Sequence, residues 1–465
     1  MIEALRQRAL LVLLLAGVLM GALDLAIIGP ALPAIQAEFG MATRGLAWLF
    51  NLYVLGQLVG TPILAKLSDR LGPRPIYIAS ILLFATGSLL MVLGDNAMWL
   101  FIGRAVQGFG GAGIFPVAVK VIGDVFPPEK RGPVLGLLGA VFGLAFLIGP
   151  VLGGLLLDYG WQWLFLINVP IAIVLILGAW RLVPAGTLGG EHKAFDYGGA
   201  LTLSLSLAAL AIAITNFDSA ELVSSIQSIE VWPFLVTFVL LAPAFWRFEK
   251  RAADPIVKPA FFQSPQITIS VVISLGLGAM QSSSAFYPAL AVAALGVTES
   301  AAAWLLIPGI VVTTIASPTA GFLINRFGAR TLVVFGLLFI AAGFLVYGQF
   351  GLTSAIFITA GCLAGLGFAT ALGAPIRIIV LNEVAPEDRG AAQGLLNVSI
   401  NVGQLLGAAL VGGMTASMGG GAPGYQFSFT VMGVITASLL LMAVRLRSKA
   451  AQDALNEVAA VTAGN

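Results

Sequence analysis

The chain has 465 residues, 59% of them apolar and 9% charged, with a formal net charge of +2 and a mean hydropathy of +1.01. That composition excludes an ordinary soluble domain, and no basic cluster points to nucleic acid. A single cysteine, Cys362, and a single histidine, His192, exclude a disulfide framework and a Cys-based metal site.

At about 20 residues per membrane span, the length accommodates 12–14 helices. Apolar runs fall near 9–34, 46–66, 76–94, 97–122, 133–157 and 163–183, then 197–217 and 231–247. Six more follow at 266–291, 300–324, 331–349, 354–380, 391–414 and 427–445, which makes fourteen. Met1–Arg8 resembles the start of a secretory signal, but no small-residue cleavage site precedes Asp24, so the first run is expected to be retained.

Within that first run Asp24 is the only charge between Arg8 and Glu38. A carboxylate at mid-span costs roughly 2.5–3.5 kcal/mol to insert, so such residues face a bundle interior and commonly relay protons or ions. Arg104 lies about two turns into the fourth run, at a depth that matches Asp24 at 1.5 Å per residue. The two are expected to pair directly or through one water, and protonating Asp24 would then release Arg104.

Lysine and arginine segregate strongly. With the N-terminus inside, the connectors holding Arg70, Arg74, Lys130, Arg131, Lys250, Arg326, Arg330 and Arg389 share one side with both tails, whereas the opposite connectors offer Arg44 alone. The positive-inside rule then places both termini in the cytoplasm.

The chain also repeats itself. Leu67-Ser68-Asp69-Arg70-Leu71-Gly72-Pro73-Arg74 returns as Leu323-Ile324-Asn325-Arg326-Phe327-Gly328-Ala329-Arg330, Pro128-Glu129-Lys130-Arg131-Gly132 as Pro386-Glu387-Asp388-Arg389-Gly390, and Gly153-Gly154 as Gly412-Gly413. The offsets lie between 256 and 259 residues. Two parallel halves about a midplane site are the build of secondary transporters. The expected division is a first half over 1–185, two inserted helices over 186–260, a second half over 261–448 and a tail over 449–465.

With these motifs in order, the chain resembles a major facilitator superfamily transporter of the fourteen-helix drug:proton antiporter branch. Leu23-Asp24 through Ala31-Leu32-Pro33 resembles the branch's first-helix motif. Asp69, Arg70, Gly72 and Arg74 match the loop motif, and Arg104, Gln107, Gly108 and Gly110 the helix 4 motif. Gly149-Pro150-Val151-Leu152-Gly153-Gly154 matches the antiporter motif, and Trp161-Gln162-Trp163-Leu164-Phe165-Leu166-Ile167-Asn168-Val169-Pro170 and Phe195-Asp196-Tyr197-Gly198 look like the later signatures. Departures stand at Ala26 and Gly29, where Thr and Asn are usual, at Ala65 and Pro73, at Gln162 for Arg, and at Asn325 for an acid.

The resemblance implies an all-α membrane protein with the major facilitator fold: two six-helix halves and two extra central helices. It implies a monomeric, proton-coupled exporter of hydrophobic or amphipathic small molecules in a bacterial plasma membrane. No enzymatic activity, metal or cofactor is expected; an exporter or flippase of lipid-like molecules is the alternative, and a non-transporting sensor a remote one. Asp24 and Arg104 are the expected coupling pair. Asp69, Arg70, Gly72, Arg74 and Arg131 form the expected cytoplasmic gate, and Gly149, Pro150, Gly153 and Gly154 a seal between the halves. Gln107, Gln281, Tyr287, Arg377, Asn397 and Asn401 are expected to line the substrate cavity. Lys120 is expected to snorkel to the interface, and Trp161 and Trp163 to sit in the aromatic belt.

Overall fold

A computed structural model of the protein describes residues 2–126, 128–185, 197–217, 222–252, 259–384 and 389–451. Regular structure among them is helical: α1 Ile2–Phe39, α2 Thr43–Leu71, α3 Pro73–Leu93, α4 Ala97–Val125, α5 Pro128–Leu156, α6 Gln162–Leu166, α7 Asn168–Leu182, α8 Tyr197–Asn216, α9 Leu222–Gln227 and α10 Trp232–Glu249. The chain continues through α11 Pro265–Ser283, α12 Tyr287–Leu295, α13 Glu299–Phe327, α14 Ala329–Gln349, α15 Ser354–Ala371, α16 Ala374–Leu381, α17 Arg389–Ser417 and α18 Gly421–Ala443.

All fourteen expected runs are helical and in the expected order. Among the described residues, 11 helical runs are long and apolar enough to cross a membrane. The other three are α5 and α8, whose apolar described stretches are the shorter Ile148–Tyr159 and Leu201–Asn216, and α10, which closes on Arg247 and Glu249. Two runs are interrupted where local chemistry competes with the helix, and a third is divided with its backbone still in the helical region. In the ninth, the hydroxyls of Ser283 and Ser284 bond back to the carbonyls of Ala279 and Gln281, and Pro288 lacks an N–H to continue the ladder. In the twelfth, Gly373 leaves the helical region and Pro375 restarts the chain as α16. The sixth run is divided at Ile167 into α6 and α7.

The repeat has a conformational meaning at its glycines. Gly72 turns α2 into α3 at φ +88°, and Gly328 turns α13 into α14 at φ +81°. Both lie in backbone space that only glycine enters without strain, so the two loops turn alike.

Packing follows the repeat. α2, α3 and α4 pack together and α1 lies on α5, while α11 packs on α17, and α14 on α15 and α18. The two sets meet along α5 with α13 and α2 with α17. A Cβ on Gly153 would stand 3.1 Å from that of Ala303, and one on Gly412 2.4 Å from that of Ala47. Ala47-Trp48 and Ala303-Trp304 stand 256 residues apart, so the repeated glycine pair meets a repeated partner on both sides of the seam. α8 touches both α2 and α17, with Gly413 against the carbonyls of Ile214 and Thr215, and α10 lies outside α8. α8 thus braces the junction of the two sets.

Glycine also sets how closely α4 approaches its neighbours. A Cβ on Gly108 would fall 2.1 Å from the Tyr53 carbonyl oxygen of α2, and one on Gly103 2.7 Å from the Gly87 oxygen of α3. Gly108→Val should therefore force α2 and α4 apart and lower the thermal unfolding temperature of the purified protein, at a cost of about 1–3 kcal/mol. Gly21→Ala, which meets nothing within 4 Å, should leave that temperature unchanged or raise it.

Candidate functional site

The close approach of α4 brings two long polar side chains to a carboxylate on α1. Arg104 Nη1 donates to Asp24 Oδ2 at 2.6 Å, and Gln107 Nε2 donates to Asp24 Oδ1 at 2.6 Å. Arg104 and Gln107 are also joined to each other, Nη1 to Oε1 at 2.7 Å. All three residues are fully buried, at 0% exposure. The expected pairing at matched depth is thus direct, with no intervening water.

Further groups hold this core in place. Arg104 Nε donates to the Leu49 carbonyl at 2.8 Å, and its guanidinium carbon lies 4.3 Å from the centre of the Tyr53 ring. Gln107 Nε2 and Asn168 Nδ2 both donate to Ser88 Oγ, at 2.9 and 3.1 Å, and Ser88 bonds back to the Phe84 carbonyl. Tyr53 in turn donates to the Gly21 carbonyl and accepts from Gln57. Five runs therefore converge on one carboxylate. Arg104 Nη2 and Asn168 Oδ1 are buried without a partner, which leaves one donor and one acceptor unused beside it. Tyr53 and Ser88 were not singled out by sequence, and Asn168 stood there only as part of the Trp161–Pro170 signature. Ser88 and Asn168 are polar residues inside apolar runs, a signal shared with many residues that only link helices; Tyr53 gives no such signal.

Gln107, expected in a substrate cavity, is instead part of this buried network. Its neighbours at 108 and 110 are the glycines of the same motif, so the motif supplies both close packing and the polar reach that packing permits.

The antiporter-motif glycines lie at the seam. A Cβ on Gly149 would stand 2.5 Å from the Ala26 Cβ, and one on Gly154 2.4 Å from the Trp304 ring. Ser300 Oγ donates to the Gly154 carbonyl at 2.7 Å, and Pro150 is buried beside them. Gly29 approaches the Ala285 carbonyl at the break between α11 and α12. Ala26 and Gly29, the two departures in the first-helix motif, are thus the positions where α5 and the α11–α12 break crowd against α1. These contacts lie toward the ends of the helices remote from the chain termini.

Of the expected gate, Arg74 Nε donates to the Val183 carbonyl at the end of α7, at 2.7 Å, a tie within the first set of helices. Arg70 is exposed, and the side chains of Asp69 and Arg131 lie outside the described residues. Lys120 does not snorkel freely: its Nζ donates to the Ser68 carbonyl in the last turn of α2 at 2.9 Å, where a cation meets the negative end of the helix dipole. Trp161 is buried, with Nε1 on Glu38 Oε2 at 2.6 Å. Trp163, by contrast, is exposed. Gln162, in place of the usual Arg, reaches the same Glu38.

The remaining cavity residues fall into three groups. Arg377 donates to Gln393 Oε1 at 2.9 Å and Asn397 Oδ1 at 3.0 Å. Gln281 accepts from Gln404 at 2.9 Å, and Asn401 is half-buried on the same helix. Tyr287 packs into an aromatic cluster with Tyr347, Phe344 and Phe429. Among the described residues, no group of three or more His, Cys, Asp or Glu side chains is placed to hold a metal.

A family model described as Major Facilitator Superfamily matches residues 14–245 and 267–463. The MFS-type transporter YfiU of Bacillus subtilis is 34% identical over 403 residues, covering 85% of this chain and 77% of that protein. Multidrug resistance protein 3 of the same organism is 30% identical over 405 residues, covering 86% and 78%. The crystal structure of a D-xylose-proton symporter aligns over 96% of this chain and 98% of its own, with a TM-score of 0.67 at 16% identity, a likeness of fold.

The buried pair makes a stability prediction. Arg104→Gln strands a buried carboxylate and should destabilise the protein by about 3–5 kcal/mol, whereas Asp24→Asn combined with the same Arg104→Gln removes both charges and should cost less than Arg104→Gln alone. Thermal unfolding of the two single variants and the double variant measures this, and simple additivity would contradict the coupling.

Proposed function

Because the chain belongs to the major facilitator superfamily, we propose that it is a proton-coupled antiporter that exports hydrophobic or amphipathic small molecules by alternating access. The observation that carries this reading is the buried constellation of Asp24, Arg104 and Gln107. A carboxylate that spans two states of charge, held by a cation on a second helix, is a switch with a defined charge change. When Asp24 is ionised, α1 and α4 are tied by two charge-assisted bonds; when it is protonated, the pull on Arg104 falls and the helices are free to shift. Asp24 has no exposed surface here, so its exchange with water belongs to a conformation in which this network has opened. Similarity to a protein named for multidrug resistance, Multidrug resistance protein 3, supports the class of cargo.

The seam supports the direction of opening. Its closest contacts sit at the end remote from the basic connectors, and by the positive-inside rule we assign those connectors and both termini to the cytoplasm. The conformation is then closed outside, with its cargo chamber facing inward. We read the protein as a monomer of a bacterial plasma membrane.

The energetics are adequate. One proton moving through 100 mV releases about 2.3 kcal/mol, and one unit of pH adds about 1.4 kcal/mol. At one-to-one exchange this sustains a gradient of a few hundredfold for a neutral cargo.

A cleft between α13 and α15 favours a second reading. It has a volume of about 360 Å³ and is lined by Val312, Ile315, Ala316, Leu323 and Leu366 with Thr319 and Thr370. Such an apolar surface groove suits contact with a lipid-like cargo.

Reconstituted protein with a pH-sensing dye inside the vesicles tests the coupling. Candidate compounds should release protons in the wild type, and Asp24→Asn should abolish uphill movement on a pH gradient while leaving downhill exchange. Uphill movement by Asp24→Asn would exclude Asp24 as the carrier, and release of protons by lipid analogues alone would favour the second reading.

A further inference from the structure

Three basic side chains lie at membrane depth, and the structure gives each a different employment. Arg104 is neutralised by Asp24. Lys120 rests on the Ser68 carbonyl at the end of α2. Arg377 is held by the side-chain oxygens of Gln393 and Asn397, and among the described residues no carboxylate pairs with it. A guanidinium stays charged in any protein setting, so among the described residues the charge of Arg377 is met only by neutral amides.

We propose that Arg377, Gln393 and Asn397 form an anion-recognition site, and that the cargo is an amphipathic organic anion with a carboxylate on an apolar body. This rests on the transport reading above and narrows it. The site is built before any cargo arrives. Gln393 Nε2 donates to the Arg377 carbonyl at 3.3 Å while its Oε1 accepts from Nη1, which fixes the amide and the fork together. Two of the five guanidinium N–H groups are used in this way, so the planar fork keeps donors for a carboxylate. The Asn397 amide accepts through Oδ1, and its Nδ2 has no partner among the described residues.

Position on the helix supports access. On α17, Gly403 and Gly407 face α11 and Gly412 faces α2. At 3.6 residues per turn, Asn397 and Asn401 fall between those two directions, toward the gap between the helix sets, and Asn397 is exposed there. An anionic cargo also suits the energy source. An anion leaving and a proton entering both run down an inside-negative potential, whereas a cation leaving would oppose it.

Binding to the protein in lipid nanodiscs tests the proposal, with a dansyl-labelled undecanoic acid and its methyl ester as probes. The wild type should bind the acid at least about tenfold more tightly than the ester, the value of one charge-assisted contact. Arg377→Gln should remove that preference, and Arg377→Lys should keep part of it, with the unfolding temperature of each variant measured alongside. Equal affinities in the wild type, no binding of the acid, or a preference that survives Arg377→Gln would each overturn the proposal. Asp24→Asn separates the two readings: it should keep the preference for the acid, and if it does so while still driving uphill transport, proton coupling through Asp24 fails and the anion site stands.

Discussion

The architecture depends on one constraint: a carboxylate and a guanidinium, both without access to water, must be held in contact between α1 and α4. Removing two such charges from water is costly, and the attraction offsets that cost only where geometry is good and the remaining donors are used. Arg104 largely meets the condition, with the Leu49 carbonyl, Gln107 and the Tyr53 ring around it and Nη2 alone left over. None of those contacts would form if α4 stood a side chain further from α2 and α3. Gly87, Gly103, Gly108 and their neighbours permit the approach, so the motif's glycines and its polar residues are two parts of one device.

The same logic of close backbones governs the seam. α5 crowds α1 and α13 through Gly149, Gly153 and Gly154, and α17 crowds α2 and α8 through Gly412 and Gly413. Small residues at such contacts let van der Waals packing hold helices together in a medium with no hydrophobic drive to do so. Ala26 and Gly29 belong to this seam. What reads in the first-helix motif as a loss of polar groups is, in three dimensions, a tighter fit between α1, α5 and the break after α11. α8 extends the seam by touching both α2 and α17.

Much of this was legible in the chain itself. Hydropathy marked the fourteen runs, because a backbone in lipid must satisfy its own hydrogen bonds and a helix does so locally. The repeat marked the pairing of the halves, and Gly72 and Gly328 carry it into backbone geometry. Asp24 announced itself by cost alone, and Arg104 by depth. The interruptions after Ser283 and Ala371 were not marked, because serines and prolines in apolar runs break some helices and only bend others.

What the sequence determined, then, was what each helix carries by itself, its span and the expense of a lone charge, together with the repeat that relates one run to another. The tertiary structure decided which polar groups share a neighbour. Lys120, Arg104 and Arg377 are alike as basic residues in apolar runs, yet one meets a helix end, one a carboxylate and one a pair of amides. Gln107 and Trp161 likewise took their partners, Asp24 and Glu38, from other helices. Those assignments follow from crossing distances between helices, set by where a missing Cβ lets two backbones meet, and no run of residues read alone contains them.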